Sequence, residues 1–254
     1  MSTTIAVAGV TLDIEEKGSG QPILFLHPGE GLQANRPWID ALAKTHRVIA
    51  PNHPGFGKSS LPDWFGTVDE IAYLYLDLAK QLGLKDAILA GNSFGGWIAA
   101  EMAVRSTSAF SRLVLAAPLG IKVRGHLERD IADMHSIPRA EFMRLAWADP
   151  DKGAIDYSAL PDTELAAIAR ARESLALFGW KPYMHNPRLK RWLHRIDIPT
   201  QLIWGEADGI VSLDYAKAWR DEIAGSTLTT IPNAGHFPHW EQPGAFAAAI
   251  AAKP

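Results

Sequence analysis

The sequence predicts an α/β fold in which a mainly parallel β-sheet is covered by helices on both faces. Short apolar segments of strand length alternate with segments of helical periodicity, which is the pattern of βαβ units. The chain has 254 residues, 47% of them hydrophobic, so it can bury a substantial core. This is the size of one α/β domain with an insertion, and the alternation is interrupted once, between residues 121 and 193.

The elements follow one another in a regular order. A hairpin at the sheet edge is predicted first, from residues 5–10 and 11–16. Six short apolar strands, each followed by a polar or glycine-rich turn, are then predicted at residues 22–26, 47–50, 87–90, 113–117, 200–204 and 227–231. Helices are predicted at residues 38–43, 68–82, 95–104, 213–223 and 245–252. Ser212 is suited to cap the fourth of these helices.

The interruption predicts an insertion. From residue 121 to residue 193 no strand-like run occurs, and amphipathic stretches at residues 141–148 and 163–178 are separated by prolines. We therefore expect a helical cap at residues 121–193, inserted after the sixth strand. Residues 1–120 and 194–254 would form the core domain.

Composition limits the chemistry and the partners. The net charge is -3, with 25 Lys and Arg scattered among 28 Asp and Glu, so nucleic acid is not an expected partner. The chain has no cysteine, which excludes disulfides, a thiolate nucleophile and Cys-ligated zinc. No metal and no cofactor are expected. Residues 1–20 do not resemble a signal peptide and no later run is long enough to span a bilayer, so a cytoplasmic location without membrane contact is predicted.

Ser93 is the candidate nucleophile. Residues 91–96, Gly-Asn-Ser-Phe-Gly-Gly, lie between a predicted strand and a predicted helix and match the G-x-S-x-G elbow. In such a turn the glycines avoid collisions with the neighbouring strand and helix, and the serine side chain is pushed into the open. The alternative is an ordinary strand-to-helix turn, but the surrounding elements favour the nucleophile.

A serine hydroxyl needs a base, and the base needs an orienting group. His236 lies in a loop after the last predicted strand, where the chain can return to Ser93. Residues 205–209, Gly-Glu-Ala-Asp-Gly, follow the preceding strand and offer two acids. Asp208 is favoured, because it stands further along the loop where the chain turns into the next helix, and Glu206 remains the alternative.

Two backbone N–H groups are candidates for an oxyanion hole. The following helix contributes the N–H of Phe94 and its positive N-terminal end. Residues 27–31, His-Pro-Gly-Glu-Gly, follow the strand at 22–26, and the N–H of Gly29 is the second candidate donor. The alternative for this segment is a turn that only ends a strand.

Together these motifs resemble the α/β-hydrolase superfamily, in which the nucleophile, acid and histidine occur in the order Ser, Asp, His. The resemblance covers nearly the whole chain and implies the α/β-hydrolase fold with an inserted helical cap. Residues 91–96 and 235–241 are most similar to the carbon–carbon bond hydrolases of meta-cleavage pathways and to carboxylesterases. Phe237 departs from the Trp that the former commonly carry after the histidine. Those enzymes also carry a cap arginine that meets the acidic end of the substrate, for which Arg170 and Arg172 are candidates.

The expected enzyme is a serine hydrolase that cleaves a small acyl substrate, at an ester or at a carbon–carbon bond next to a ketone. A lactone or thioester is also open, and so is a homodimer as the assembly. Predicted substrate contacts are Glu30, Trp147, Arg172, Phe178 and Phe237.

Other functions fit the same fold. One is a ligand receptor that keeps the three residues but turns over slowly, another is a haloperoxidase-like perhydrolase, and a third is a scaffold that has lost catalysis. The complete set of Ser93, Asp208 and His236 favours an enzyme. Ser93 also argues against the superfamily members that use an aspartate nucleophile.

Overall fold

The structure is a computed structural model that describes residues 2–32, 36–125 and 127–252. The outermost positions of the predicted core domain, 1 and 254, lie outside the described residues. The described strands are β1 (Ser2–Val7), β2 (Val10–Lys17), β3 (Gln21–Leu26), β4 (His46–Pro51), β5 (Ala87–Asn92), β6 (Phe110–Ala116), β7 (Thr200–Gly205) and β8 (Thr227–Ile231). The described helices are α1 (Pro37–Leu42), α2 (Val68–Gln81), α3 (Phe94–Arg105), α4 (Arg139–Ala146), α5 (Asp162–Gly179), α6 (Leu213–Glu222), α7 (Pro238–Glu241) and α8 (Pro243–Ala251).

One sheet runs through the molecule in the order β1-β2-β4-β3-β5-β6-β7-β8. β2 pairs antiparallel with both β1 and β4, and every other pairing is parallel. β5 lies near the centre and is buried along its whole length, because helices cover both of its faces. The sheet therefore has the predicted α/β architecture, and the carboxyl ends of β3 to β8 meet at one edge.

The helices form two layers. On one face α1 and α8 pack against the sheet through Trp38 and Phe246, in a core that includes Phe25. On the other face α2, α3 and α6 contribute to a larger core, which includes Tyr75 and Trp219. Successive residues of a strand point to opposite faces, so that the apolar strands fill both layers.

The segment between β6 and β7 reaches across the carboxyl edge of the sheet. It contains α4, α5 and short 3₁₀ turns at Pro150–Gly153, Tyr157–Ala159 and Leu189–Arg195. Ser174 of α5 donates a hydrogen bond to the Gly55 carbonyl after β4, 3.0 Å away. At the end of α4, the Ala146 carbonyl accepts a hydrogen bond from the His236 N–H, in the loop after β8. We call residues 121–193 the insertion segment.

The predicted elements all occur, and the differences lie at their ends. The predicted hairpin strands met at residues 10 and 11, but the structure places the turn at Ala8 and Gly9. Both have positive φ, 45° and 81°, which matches the twist of a two-residue hairpin turn. The last helix begins at Pro243, because proline is suited to the first helical position. Ser212 accepts a hydrogen bond from the Tyr215 N–H, which confirms the predicted cap.

Within the described part of the chain, no helix combines the length and the apolar character that crossing a bilayer would require.

The end of β7 tests how tightly this edge of the sheet is packed. A Cβ on Gly205 would overlap the carbonyl oxygens of Ala234 and Gly235, whereas a Cβ on Gly66 meets nothing within 4 Å. We expect Gly205→Ala to lower the free energy of unfolding by about 1–3 kcal/mol, because backbone must shift to admit the methyl group. Gly66→Ala should change it by less than about 0.5 kcal/mol. Urea unfolding of both variants measures the difference, and equal stabilities would contradict this packing.

Candidate active site

Ser93 stands in a strained turn between β5 and α3. Its φ is 53° and its ψ is -116°, a conformation that side-chain-bearing residues rarely adopt. Gly91 and Gly95 lie on either side of Ser93 in the sequence. A Cβ on Gly91 would overlap the backbone of Gly95, and a Cβ on Gly95 would overlap the backbone of Leu26. The glycines therefore permit the turn, and the turn holds the Ser93 side chain above the carboxyl end of β5.

Three predicted residues from distant parts of the chain form one hydrogen-bonded row. His236 Nε2 lies 2.8 Å from Ser93 Oγ, and His236 Nδ1 lies 2.9 Å from Asp208 Oδ2. All three residues are buried. Because a carboxylate only accepts, Nδ1 carries the proton and Nε2 is left free to accept the serine proton.

Asp208 is fixed by its own loop. Its second oxygen, Oδ1, accepts hydrogen bonds from the N–H groups of Ile210 and Val211 at 2.9 and 3.0 Å. Glu206, the alternative acid, instead accepts a hydrogen bond from the Thr230 hydroxyl at 3.1 Å on the exposed side of the loop. The structure therefore brings Asp208, and not Glu206, against His236.

The backbone around His236 is held by the insertion segment. The His236 N–H donates to the Ala146 carbonyl at 2.8 Å, and the Gly209 N–H donates to the Leu145 carbonyl at 2.8 Å. These two carbonyls lie at the end of α4, where helix carbonyls lack intrahelical partners. One helix end thus joins the loop of the acid to the loop of the histidine.

Glu241 also joins the His236 loop to the insertion segment, a role that was not predicted from its sequence position. Its buried carboxylate accepts from the N–H of Gly235 at 2.6 Å, and from those of Ala148 and Asp149 at 3.3 and 3.0 Å. An acid five positions after the candidate histidine, in an apolar stretch, was the signal available. The long-range partners in residues 148–149 could not be read from sequence.

The two predicted oxyanion donors belong to the residue after Ser93 and to the loop after the neighbouring strand. Phe94 is the first residue of α3, and Gly29 follows β3, the strand next to β5. Among the described residues, neither N–H donates to a protein acceptor. The first turn of α3 is pressed against the end of β3, since a Cβ on Gly95 would also overlap the His27 carbonyl. The Phe94 N–H directly after Ser93 and the Gly29 N–H after the neighbouring strand therefore remain candidates for binding a ligand oxygen.

A cavity of about 680 Å³ lies between the insertion segment and the carboxyl edge of the sheet. Four of the five predicted substrate contacts, Glu30, Trp147, Arg172 and Phe237, line it, together with Gly29 and Leu175. Ser93 is only 4% exposed and does not line the cavity, whereas Gly29 and Phe237, the residue after His236, do line it.

Phe178, the remaining predicted contact, lies elsewhere. It packs on Phe94 at 6.1 Å between ring centroids and on Phe65 at 6.1 Å, and it does not line the cavity. Its ring lies against the Phe94 ring, in the core.

Two arginines converge on one tyrosine in the cavity wall. Arg139 and Arg172 donate to the Tyr157 hydroxyl at 2.7 and 2.8 Å, and each guanidinium also faces the Tyr157 ring. Glu30 lies in the same wall, and burial raises the pKa of its carboxyl. The nearby His236 and Arg172 have the opposite effect and lower that pKa. Arg170 is used differently, because it binds the Gly57 and Ser59 carbonyls. Of the two candidate arginines, only Arg172 faces the cavity.

The described residues include no group of three or more His, Cys, Asp or Glu side chains placed to hold a metal ion.

Comparison with known proteins gives a consistent picture. The model described as "Alpha/beta hydrolase family" matches residues 23–249. The 2-hydroxymuconate semialdehyde hydrolase of Pseudomonas sp. (strain CF600) is 29% identical, over 97% of this chain and 91% of its own. The 2-hydroxy-6-oxo-6-(2'-aminophenyl)hexa-2,4-dienoic acid hydrolase of Metapseudomonas resinovorans is 28% identical, over 96% and 87%. A meta-cleavage product hydrolase structure from Pseudomonas fluorescens IP01, complexed with acetates, superposes with a TM-score of 0.76, 25% identity and coverage of 98% and 95%.

The row of hydrogen bonds predicts different roles for the two acids of the 205–209 loop. Asn at position 208 can donate to His236 Nδ1 and so favours the tautomer whose Nε2 carries the proton and cannot accept one from Ser93. We expect Asp208→Asn to lower kcat of any Ser93-dependent reaction by about 10,000-fold. Glu206→Gln should leave kcat within about 2-fold, because the Glu206 carboxylate accepts a hydrogen bond from Thr230 on the exposed side of the loop and does not face His236. Steady-state kinetics decides, and a larger loss in Glu206→Gln would reassign the acid.

Proposed function

The chain belongs to the alpha/beta hydrolase family, and we propose that it is a serine hydrolase that acts on a small acyl substrate bearing an acidic group. The observation that carries this proposal is the row Ser93 Oγ, His236 Nε2 and Nδ1, and Asp208 Oδ2, with contacts of 2.8 and 2.9 Å. A base oriented by a carboxylate and in contact with a serine hydroxyl is the arrangement that nucleophilic catalysis needs.

The reaction begins with transfer of the Ser93 proton to His236. Ser93 Oγ bonds to the substrate carbonyl carbon while His236 Nε2 takes the hydroxyl proton, and Asp208 stabilises the imidazolium that forms. The carbonyl oxygen becomes an oxyanion, which accepts hydrogen bonds from the N–H groups of Gly29 and Phe94. When the oxyanion collapses, the bond to the leaving group breaks and His236 Nε2 returns the proton to that group.

Water completes the cycle. The acyl group is now esterified to Ser93, and a water molecule gives its proton to His236 as its oxygen bonds to the acyl carbon. A second oxyanion forms at Gly29 and Phe94 and collapses, and Ser93 leaves with the proton from His236. The products are a carboxylic acid and the protonated leaving group, and every residue is restored.

The cavity supports a substrate with an apolar body and an acidic end. Phe142, Met143, Trp147 and Leu175 supply apolar wall, while Arg139 and Arg172 supply two guanidinium groups near Tyr157. Guanidinium groups bind carboxylates through charge-assisted hydrogen bonds. The named relatives hydrolyse a semialdehyde and a dienoic acid, so that a carbon–carbon bond next to a ketone is the proposed target and an ester is the second candidate.

In this proposal residues 121–193 act as a cap domain on a core formed by residues 1–120 and 194–254. The segment supplies Trp147, Leu175 and the arginines to the cavity, and it closes over the residues that surround Ser93. A closed site excludes water from the acyl group until the leaving group has departed.

The first test is removal of the nucleophile. Ser93→Ala should lower kcat by several powers of ten for a 4-nitrophenyl ester and for an acidic vinylogous diketone, because the acyl group then has no atom to which it can bond. Circular dichroism checks that the variant folds. The proposal is wrong if Ser93→Ala keeps the turnover measured for the parent chain.

Specificity for the acidic end is tested on two neighbouring arginines of α5. Arg172→Gln should lower kcat/KM for an acidic substrate by about 10 to 100-fold, through loss of a charge-assisted hydrogen bond, and leave a neutral ester almost unaffected. Arg170→Gln is the matched control, because Arg170 binds the 57–59 backbone outside the cavity, and it should not change the ratio of the two substrates. Equal losses on both substrates in Arg172→Gln would contradict the assignment.

A further inference from the structure

The peptide unit between Pro28 and Gly29 carries both a buried acceptor and the candidate oxyanion donor. The Pro28 carbonyl and the Gly29 N–H belong to one planar group and point in opposite directions when the peptide is trans. Whatever holds the Pro28 oxygen therefore sets the direction of the Gly29 N–H. Two groups donate to that oxygen, His27 Nδ1 at 2.6 Å and the Gly31 N–H at 3.0 Å.

The contacts of His27 determine which of its nitrogens carries the proton. The backbone N–H of His53 donates to His27 Nε2 at 2.9 Å, so Nε2 must be bare. A neutral imidazole then has its proton on Nδ1, where the Pro28 oxygen accepts it. His27 is thus held in the tautomer that can orient the peptide.

A second histidine fixes the first. His53 Nε2 lies 2.9 Å from the His27 carbonyl and so carries a proton, which leaves His53 Nδ1 to accept from the Tyr75 hydroxyl at 2.6 Å. The two imidazoles are in contact, with 3.6 Å between ring centroids and 33° between the ring planes. Every proton in this row therefore has one position that satisfies all donors and acceptors.

Burial keeps both rings neutral. His27, His53 and Tyr75 are fully buried, and the loss of water lowers the pKa of His27 to about 4 and that of His53 well below its usual value. A proton on His27 Nε2 would face the His53 N–H, a second donor. The neutral tautomer is the only form of His27 that these contacts accommodate.

We propose that His27 is a positioning residue that aims the Gly29 N–H at the oxyanion through its Nδ1–H bond to the Pro28 carbonyl. The inference rests on the proposed function, because it assigns a task within the same reaction. It differs from a role in fold stability alone, in which any side chain that kept the loop packed would serve. Each half of the imidazole has a separate job, Nδ1 toward Pro28 and Nε2 toward His53.

Two amide side chains separate these jobs. Asn at position 27 can place its N–H₂ group near the site of Nδ1 and keep the donor to Pro28, while it loses the acceptor for His53. Gln at position 27 can place its oxygen near the site of Nε2 and keep that acceptor, while it loses the donor to Pro28. Asn is smaller than Gln by one methylene group, so that lost packing alone would harm His27→Asn more than His27→Gln, which is the opposite of the order expected from the two hydrogen bonds.

We expect His27→Gln to lower kcat by about 10 to 100-fold with little change in KM, since a misdirected donor costs less than the about 100 to 1000-fold loss of a whole donor. His27→Asn should stay within about 5-fold of the parent kcat, because its donor to Pro28 remains. Affinity for a trifluoromethyl ketone, which forms an oxyanion on Ser93, should fall in parallel with kcat/KM. Equal losses in the two variants, or a greater loss in His27→Asn, would overturn the inference.

The parent chain supplies a measurement that depends on neither variant. Long-range ¹H–¹⁵N correlation spectra of ¹⁵N-labelled protein report which nitrogen of each histidine is protonated, and His27 should show a protonated Nδ1 with a bare Nε2. A protonated Nε2 would overturn the inference even if both variants fail to fold. Absence of Ser93-dependent turnover in the parent would instead refute the proposed function, a result distinct from turnover that does not respond to residue 27.

Discussion

The strained backbone at Ser93 is the constraint on which the rest of the site depends. The positive φ of Ser93, at the end of β5, costs on the order of 1–3 kcal/mol of conformational free energy. This conformation persists because the strand, the helix and the flanking glycines are packed around it. That turn brings the hydroxyl to His236 Nε2 and starts α3 at Phe94, so that the candidate nucleophile and one candidate oxyanion donor are set by the same few dihedral angles. The hydrogen bonds that lead from Ser93 through His236 to Asp208 depend on this position of the hydroxyl, and so does the proposed role of Gly29.

The insertion segment does more than line a cavity. The carbonyls of Leu145 and Ala146 accept hydrogen bonds from the loops that carry Asp208 and His236, and Glu241 ties residues 148–149 to the N–H next to His236. The segment that lines the cavity therefore also holds the backbone around Asp208 and His236. On the opposite side, Leu175 packs against Gly29, since a Cβ on that glycine would overlap the leucine side chain. The segment thus touches both the loop that carries His236 and the loop that carries Gly29.

Much of this arrangement could be predicted from sequence because local pattern determines it. Strand and helix periodicity gave the α/β class, and the motifs around Ser93 indicated the family that the comparison confirms. Chain order and loop position were enough to favour Asp208, which the structure places against His236. The contacts of the insertion segment could not be predicted, because they depend on how that segment folds back. They are the convergence of Arg139 on Tyr157, the partners of Glu241, and the packing of Phe178 on Phe94. The hairpin turn was predicted at residues 10 and 11 rather than at Ala8 and Gly9, because the register of two strands depends on cross-strand pairing.

If His236 makes the Ser93 hydroxyl nucleophilic, a reagent that reacts covalently with activated serines should label this residue. The parent protein would be incubated with a fluorophosphonate, digested, and mapped by mass spectrometry, with Ser93→Ala and His236→Ala treated alongside. We expect one phosphonyl group per chain on Ser93, none in Ser93→Ala, and much slower labelling in His236→Ala. Labelling at another serine, or none under conditions where the protein is folded, would contradict it.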